Sequence, residues 1–251
     1  MRLTRVYVET SLASGTIVEL PRETAAHLAK VLRARSGDAL ILFGGDGREY
    51  AGVIDNVRGS RVTATVGNGG EVDRESPLGV TLVQCLPRGD RMDFIVQKAT
   101  ELGVTRIVPV LSQRSVVRLN AAQAESKVAH WRAVTVNACE QCGRNRLPVI
   151  ETPAPLINYL GCSATTGNSA TTGAKWVLDP ALQTASIHSI PDIAVQIAIG
   201  PEGGFTDDEL DAFRIAGFAS LRLGPRILRT ETAAIAAITW LQARFGDMRA
   251  S

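Results

Sequence analysis

Metal-binding side chains are few in this sequence and poorly grouped. The three histidines, His27, His130 and His188, lie far apart. Of four cysteines, only Cys139 and Cys142 have metal or redox spacing, and no second pair accompanies them. Cysteines three apart on a helix are simply neighbours, so no metal is expected. Long apolar runs are also missing: none approaches the roughly 18 residues of a membrane span. The N-terminus, MRLTRVYVETSLASG, has no long apolar stretch of the secretory type. A cytoplasmic protein without a membrane partner is the simplest expectation. Net charge is nearly absent, +2 over 251 residues, but it is unevenly spread. Residues 1–71 carry nine Lys/Arg against eight Asp/Glu, residues 84–146 ten against five, and residues 147–251 seven against ten. The middle of the chain is therefore the natural face for a polyanion.

What is present divides in two. Residues 1–72 read as a small β-rich module with strand-like segments at 6–8, 16–20, 39–43, 49–54 and 61–66. One helix over 23–35 interrupts them, with Ala25, Leu28 and Leu32 on its apolar face and His27, Lys30, Arg33 and Arg35 elsewhere. Short strands closing on one helix suggest a small barrel. Residues 67–78 form a polar, glycine-rich break, which sets the second domain at 73–251. From Val80 strand and helix alternate: strands at 80–86 and 107–111, helices at 91–102 and 121–142, and further strands at 175–179, 194–199 and 219–223. Alternation of this kind implies a mostly parallel sheet with covered faces, an α/β fold. Residues 161–173, GCSATTGNSATTG, read as a surface loop.

Two loops carry the chemistry. The apolar run 197–199 ends in Gly200-Pro201-Glu202-Gly203-Gly204, and a helix opens at Thr206. Thr206 with Glu209 three residues later fits a capping box. The spacing is neither G-x-G-x-x-G nor a Walker loop. Glu202, Asp207, Asp208 and Glu209 suit the helix dipole but would repel phosphate, so a neutral or cationic ligand fits better. One helix later, a strand meets Leu223-Gly224-Pro225-Arg226-Ile227-Leu228-Arg229-Thr230-Glu231-Thr232, which opens an alanine-rich helix to about Phe245. Two such crossings at neighbouring strand ends look like one binding site.

The pairing of GPEGG with LGPRILRTETA resembles the cofactor site of the SPOUT methyltransferases, whose C-terminal chain forms a trefoil knot around S-adenosylmethionine. The segment 86–104, Ser112-Gln-Arg114-Ser, and Asn137-Ala-Cys-Glu140-Gln141-Cys-Gly-Arg144 resemble the 16S ribosomal RNA uridine-N3 methyltransferases among them. His27-Leu-Ala-Lys30-Val-Leu-Arg33 resembles the N-terminal PUA-like RNA-binding domain of the same family. The resemblance implies a PUA-like β-barrel followed by a knotted α/β domain, working as a homodimer on 16S rRNA. Free RNA and the assembled 30S subunit both remain open as substrate, and the low net charge of the first module, which would grip bare RNA weakly, favours the 30S subunit. S-adenosylmethionine is the implied cofactor. Leu178, Asp179, Gly200, Pro201, Glu202, Gly203, Leu223, Gly224, Ile227, Leu228 and Thr232 would hold it. His27, Lys30, Arg33, Arg88, Arg114, Glu140, Gln141 and Arg144 would face RNA.

The implied reaction needs removal of the uracil N3 proton and stabilisation of charge spreading onto O2 and O4. Arg229 is assigned to the anion and Glu202 or Glu231 to the proton. Glu231 has a plainer reading as a first-turn helix acid, and Glu140 with Arg144 as a surface i,i+4 pair. A ribose 2′-O-methyltransferase of the same superfamily, a non-catalytic RNA-binding assembly factor and a phosphate-binding α/β enzyme remain alternatives.

Overall fold

The computed structural model describes residues 3–165, 173–179 and 194–248. The chain forms two compact units: Met1–Glu75 with Val136–Leu147, and Ser76–Thr135 with Pro148–Ser251.

The first unit is a five-stranded sheet in the order β1-β3-β4-β5-β2. Its strands are β1 (Thr4–Tyr7), β2 (Ile17–Glu19), β3 (Ala39–Phe43), β4 (Arg48–Arg58) and β5 (Arg61–Glu71). All pairings are antiparallel except β1 with β3. Alternate residues of β3, β4 and β5 point inward, and Leu40, Leu42, Ile54, Val62, Ala64 and Val66 bury against Ala25 and Leu28 of helix α1 (Arg22–Lys30). Period-2 burial fixes the register, because a slip of one residue would turn the apolar set outward.

Two expectations fail here for identifiable reasons. The helix expected over 23–35 stops at Lys30. The Val31 and Leu32 amides both donate to the His27 carbonyl, and Arg33 takes a φ of +53°. The chain must reverse within a few residues, since the Gly37 amide already donates to the Ile54 carbonyl. Leu32 is consequently 49% exposed instead of joining the apolar face. The polar break expected from residue 67 is strand as far as Glu71. Glycine is required there by contact, not by flexibility: a Cβ on Gly69 would lie 2.5 Å from the Tyr50 ring, and one on Gly67 2.9 Å from the Ala51 carbonyl oxygen.

The second unit is built on a parallel sheet in the order β12-β10-β11-β6-β7-β8, with β9 also paired to β7. The strands are β6 (Gly79–Cys85), β7 (Val104–Leu111), β8 (Val149–Ile150), β9 (Ala154–Pro155), β10 (Ala174–Leu178), β11 (Ala194–Ile199) and β12 (Ala219–Leu221). β6 is buried on both faces, as parallel strands usually are. Its Val80 and Leu82 pack with helices α2 (Arg91–Glu101) and α6 (Thr230–Phe245). Val83 and Cys85 pack on the opposite side with α4 (Leu156–Thr165) and α5 (Asp207–Ile215). Ala233, Ala234 and Ala237 line the buried face of α6, where small side chains permit close approach to α2 and β11.

Gly103, at φ +82°, ends α2 as an αL stop. Helix α3 (Ala121–Cys142) has the expected limits, and its last turns group with the first unit. The loop expected from residue 161 is helical as far as Thr165, and residues 166–172 lie outside the described residues. The knotted path implied by resemblance depends on the connection from β10 to β11, of which 180–193 lie outside the described residues.

Candidate active site

The GPEGG loop is shaped by its own chemistry before any ligand is considered. β11 ends at Ile199, and the Gly204 amide donates to the Pro201 carbonyl at 2.9 Å, closing a four-residue turn. Gly204 sits at φ +68°, which favours glycine. A Cβ on Gly200 would meet the Phe205 ring at 3.2 Å, and that ring is fixed edge-on against Phe213 in the core. The capping box then starts α5: Glu209 N donates to Thr206 Oγ1 at 3.3 Å, and Thr206 N to Glu209 Oε2 at 2.9 Å. The other oxygen of Glu209 accepts from the Gln113 amide at 2.8 Å.

Arg114 belongs to the same brace. Its Nη1 donates to the carbonyls of Gly203 (2.8 Å) and Phe205 (3.1 Å). The segment Ser112–Ser115 is itself held by hydrogen bonds between the Ser115 hydroxyl, the Ser112 hydroxyl and the Ser112 amide. Arg114, expected to face RNA, thus clamps the glycine loop.

Around this loop lies a cleft of about 510 Å³, within the usual size of small-molecule sites. Three stretches distant in sequence meet there: the end of β10, the GPEGG loop and residues 222–230. Leu178, Asp179, Gly200, Pro201, Glu202, Gly203, Leu223, Gly224, Ile227 and Leu228 all line it, as does Arg229. The walls combine aliphatic side chains with carboxylates (Asp179, Glu202, Asp207) and guanidinium groups (Arg222, Arg226, Arg229). Thr232 is brought to no part of this cleft. It is exposed on the first turn of α6, whereas Thr230, two residues earlier, is buried and lines the cleft. The reason is helical geometry: α6 begins at Thr230, so residue 232 falls on another side of the helix.

The three proposed catalytic side chains have different surroundings. Arg229 is the N-cap of α6, is exposed, and makes no side-chain capping bond. Glu202 pairs with the Arg91 guanidinium and accepts from the Arg88 amide at 3.2 Å. Partial burial would raise its pKa, but its own amide, the Arg88 amide and Arg91 outweigh that and hold it below the ordinary carboxylate range. Glu231 does not line the cleft. Its Oε1 lies 4.0 Å from Arg91 Nε, and its Oε2 is buried without a hydrogen-bond partner. Arg91, which the sequence did not single out, therefore stands between both acids. It lies in the first turn of α2, in a segment noted only for its resemblance.

The residues expected to contact RNA separate into two groups. His27, Lys30, Arg33, Arg88 and Gln141 are exposed. Glu140 and Arg144 are structural. The Glu140 carboxylate accepts from the Tyr7 amide at 3.0 Å, and its burial pushes its pKa up despite that bond and the positive charge of Arg5 and His27. Arg144 is 3% exposed and pairs with Glu75, with Nε at 3.1 Å. The i,i+4 pair read from sequence does not form, because α3 ends at Cys142 and Gly143, at φ +96°, turns the chain away. Cys139 donates to the Arg146 carbonyl at 3.7 Å. Burial pushes the Cys139 thiol up to about 12, far from a reactive thiolate.

The chain matches two family models: an RNA methyltransferase domain over residues 74–242 and an RNA methyltransferase PUA domain over 20–67. It is 33% identical to ribosomal RNA small subunit methyltransferase E of Buchnera aphidicola (subsp. Schizaphis graminum), covering 98% of each chain. It is 31% identical to the Bacillus subtilis protein of the same name, covering 86% of each. A crystal structure of ribosomal RNA small subunit methyltransferase E from Neisseria gonorrhoeae bound to S-adenosyl methionine superposes with a TM-score of 0.87 at 36% identity. That likeness covers 99% of this chain and 100% of the other. A Legionella pneumophila structure, a putative methyltransferase in complex with SAM, gives 0.89 at 36% identity, with the same coverage. A cleft assembled from two Gly-Pro loops, in a chain matched along nearly its whole length, leaves one conclusion: the protein belongs to the ribosomal RNA small subunit methyltransferase E family.

Proposed function

We propose that this chain transfers the methyl group of S-adenosylmethionine to N3 of one uridine in 16S ribosomal RNA, as a homodimer acting on the 30S subunit. The coarser statement, a methyltransferase of small-subunit ribosomal RNA that uses this cofactor, follows from the family and from relatives solved with the cofactor bound. One observation on the protein's side supports the cofactor part of this reading. The cleft sets carboxylates along one loop and arginines along another, over aliphatic walls. That combination suits a molecule with an apolar purine face, a positive centre and a carboxylate, and it suits a polyphosphate poorly.

The cofactor supplies an electrophilic methyl group on sulfur. Neutral uracil has no useful lone pair at N3, so the chain must help remove a proton and receive the resulting negative charge. Arg229 is suited to the charge: it is at the cleft and exposed, and its guanidinium is a fixed positive donor. Glu202 already holds Arg91 and an amide, and a carboxylate so stabilised is a weak base. Its contribution is a persistent negative charge beside the cleft. Glu231 keeps an unpartnered carboxylate oxygen, but that oxygen is buried and Glu231 does not line the cleft, so of the two acids Glu202 is the one at the site and Glu231 the one less committed to a cation.

The test mixes the protein with labelled S-adenosylmethionine and 30S subunits lacking the modification, then digests the RNA and identifies the nucleoside. The expected product is 3-methyluridine. A 2′-O-methylated nucleoside would overturn the N3 assignment, and cofactor binding without transfer would overturn the substrate.

A further inference from the structure

Two buried polar side chains beneath the cleft have no part in the chemistry above. Gln84, near the end of β6, is 0% exposed, and Thr230, the first residue of α6, is 4% exposed. They are 146 residues apart and in contact: Gln84 Nε2 lies 2.9 Å from Thr230 Oγ1. The same hydroxyl lies 2.8 Å from the Gly200 carbonyl oxygen. A hydroxyl has one proton, and a carbonyl can only accept. Thr230 must therefore donate to Gly200 and accept from Gln84. That requirement fixes the amide orientation, which the 2.9 Å bond from Nε2 to the Cys85 carbonyl independently satisfies.

We propose that Thr230, oriented by Gln84, is a positioning residue that sets the Gly200 carbonyl, and with it the glycine turn, for cofactor binding. The proposal rests on the S-adenosylmethionine reading above. Gly200 is the point where β11 gives way to the turn, and Thr230 is the point where the second Gly-Pro loop gives way to α6. A single hydroxyl thus holds in register two loops that line one cleft. The arrangement is poorly explained by stability alone. Gln84 Oε1 is buried without a partner, and a half-satisfied buried polar pair is generally no better than an apolar pair of the same shape. An apolar pair could fill the same space but could not orient a carbonyl.

The experiment measures binding of S-adenosylmethionine and S-adenosylhomocysteine to the intact chain by calorimetry, with KM and kcat for methyl transfer and thermal midpoints alongside. The variants are Thr230→Val, Thr230→Ser and Gln84→Leu. Thr230→Val keeps the shape and removes the hydroxyl. It should weaken cofactor binding about tenfold, the scale of one buried hydrogen bond, and raise the cofactor KM more than it lowers kcat. Thr230→Ser should restore binding to within about twofold of the original. Gln84→Leu should weaken binding in the same direction as Thr230→Val, and it carries the test if that variant does not fold. Wild-type affinity in Thr230→Val, or equal losses in Thr230→Ser and Thr230→Val, would overturn the positioning role. An affinity loss that merely tracks the thermal midpoint would do the same. Absence of cofactor binding by the unaltered chain would instead sink the methyltransferase reading, and this proposal with it.

Discussion

The two units bury polar groups by different means, one chiefly in ion pairs and the other chiefly in neutral hydrogen bonds, and the contrast explains which sequence signals could be trusted. In the first, the inward polar groups are charged. Arg5, 7% exposed, pairs with Glu49, donates to Asn145 Oδ1 at 2.6 Å and to the Arg144 carbonyl at 3.2 Å, and lies over the Phe43 ring. Arg144 pairs with Glu75, and Asn145 Nδ2 donates to the Val72 carbonyl at 2.9 Å. In the second, the sheet is covered by apolar side chains, and the polar groups buried near the cleft are mainly neutral, Gln84, Thr230, Ser112 and Ser115, beside two carboxylates, Asp179 and Glu209, of which Glu209 is held by backbone amides. An arginine in a sequence is readily taken for surface. Here several from the basic middle segment are committed to contacts within the protein: Arg91 to Glu202 and Arg114 to two carbonyls at the surface, and Arg144 to Glu75 in the interior.

Breaking the charged set should therefore cost more than trimming the neutral or terminal ones. Arg144→Ala strands the Glu75 carboxylate in a partly buried site and should destabilise the protein by about 3–5 kcal/mol, the usual cost of removing one partner of a buried pair. Urea unfolding followed by circular dichroism would read this. A loss below about 1 kcal/mol would place Arg144 with ordinary surface pairs and restore it as an RNA contact. Arg229→Ala should leave stability and cofactor affinity nearly unchanged while lowering turnover by about 10²–10³, as removal of one anion-stabilising donor does elsewhere. Unchanged turnover would end its assigned role. Thr206→Ala removes the hydroxyl of the capping box and should cost about 1 kcal/mol, a value that local hydrogen exchange at the start of α5 can separate from global unfolding.

The smallest effects concern pH, and the two acids differ in sign. Burial works against ionised Glu49, but hydrogen bonds and charge from Arg74 and Arg5 prevail and lower its pKa in the folded state. Its contribution is present at neutral pH and is lost as the pH falls through that depressed value. Glu140 is raised by burial. Its contribution is present below the unfolded value and is lost as the pH rises through the raised folded value. Glu49→Gln should accordingly lower the urea midpoint at neutral pH and flatten the acid limb. Glu140→Gln should raise the neutral midpoint slightly and leave the acid limb in place. Parallel responses of the two variants would show that the two acids share one environment.

Thiol labelling sharpens the same contrast without mutation. Cys85 and Cys139 are both buried and both pushed up to about 12, while Cys142 is partly exposed. Among these three, Cys142 should be modified first, by a wide margin. Early modification of Cys139 would mean that the end of α3 opens far more readily than its contacts suggest.

Local patterning determined much of this molecule. The continuous apolar run bounded by glycines marked β3 at Ala39–Phe43, and α3 has the limits expected of it, Ala121–Cys142. The Thr206–Glu209 box forms as its spacing implies. These features are decided within a turn or two of chain, so the sequence states them directly. The loops of the cleft were legible because glycine, proline and acid at those positions constrain the backbone locally. What the sequence could not state were relations across long separations. Gln84 with Thr230, Arg91 with Glu202, and Arg144 with Glu75 are 146, 111 and 69 residues apart. Where helix α1 stops was likewise settled by the sheet that residues 37 and 38 must join, and Thr232 lost its place to Thr230 through the helix phase. Such choices belong to tertiary structure because the energy deciding them, burial of one particular polar group beside another, exists only once distant segments have packed together.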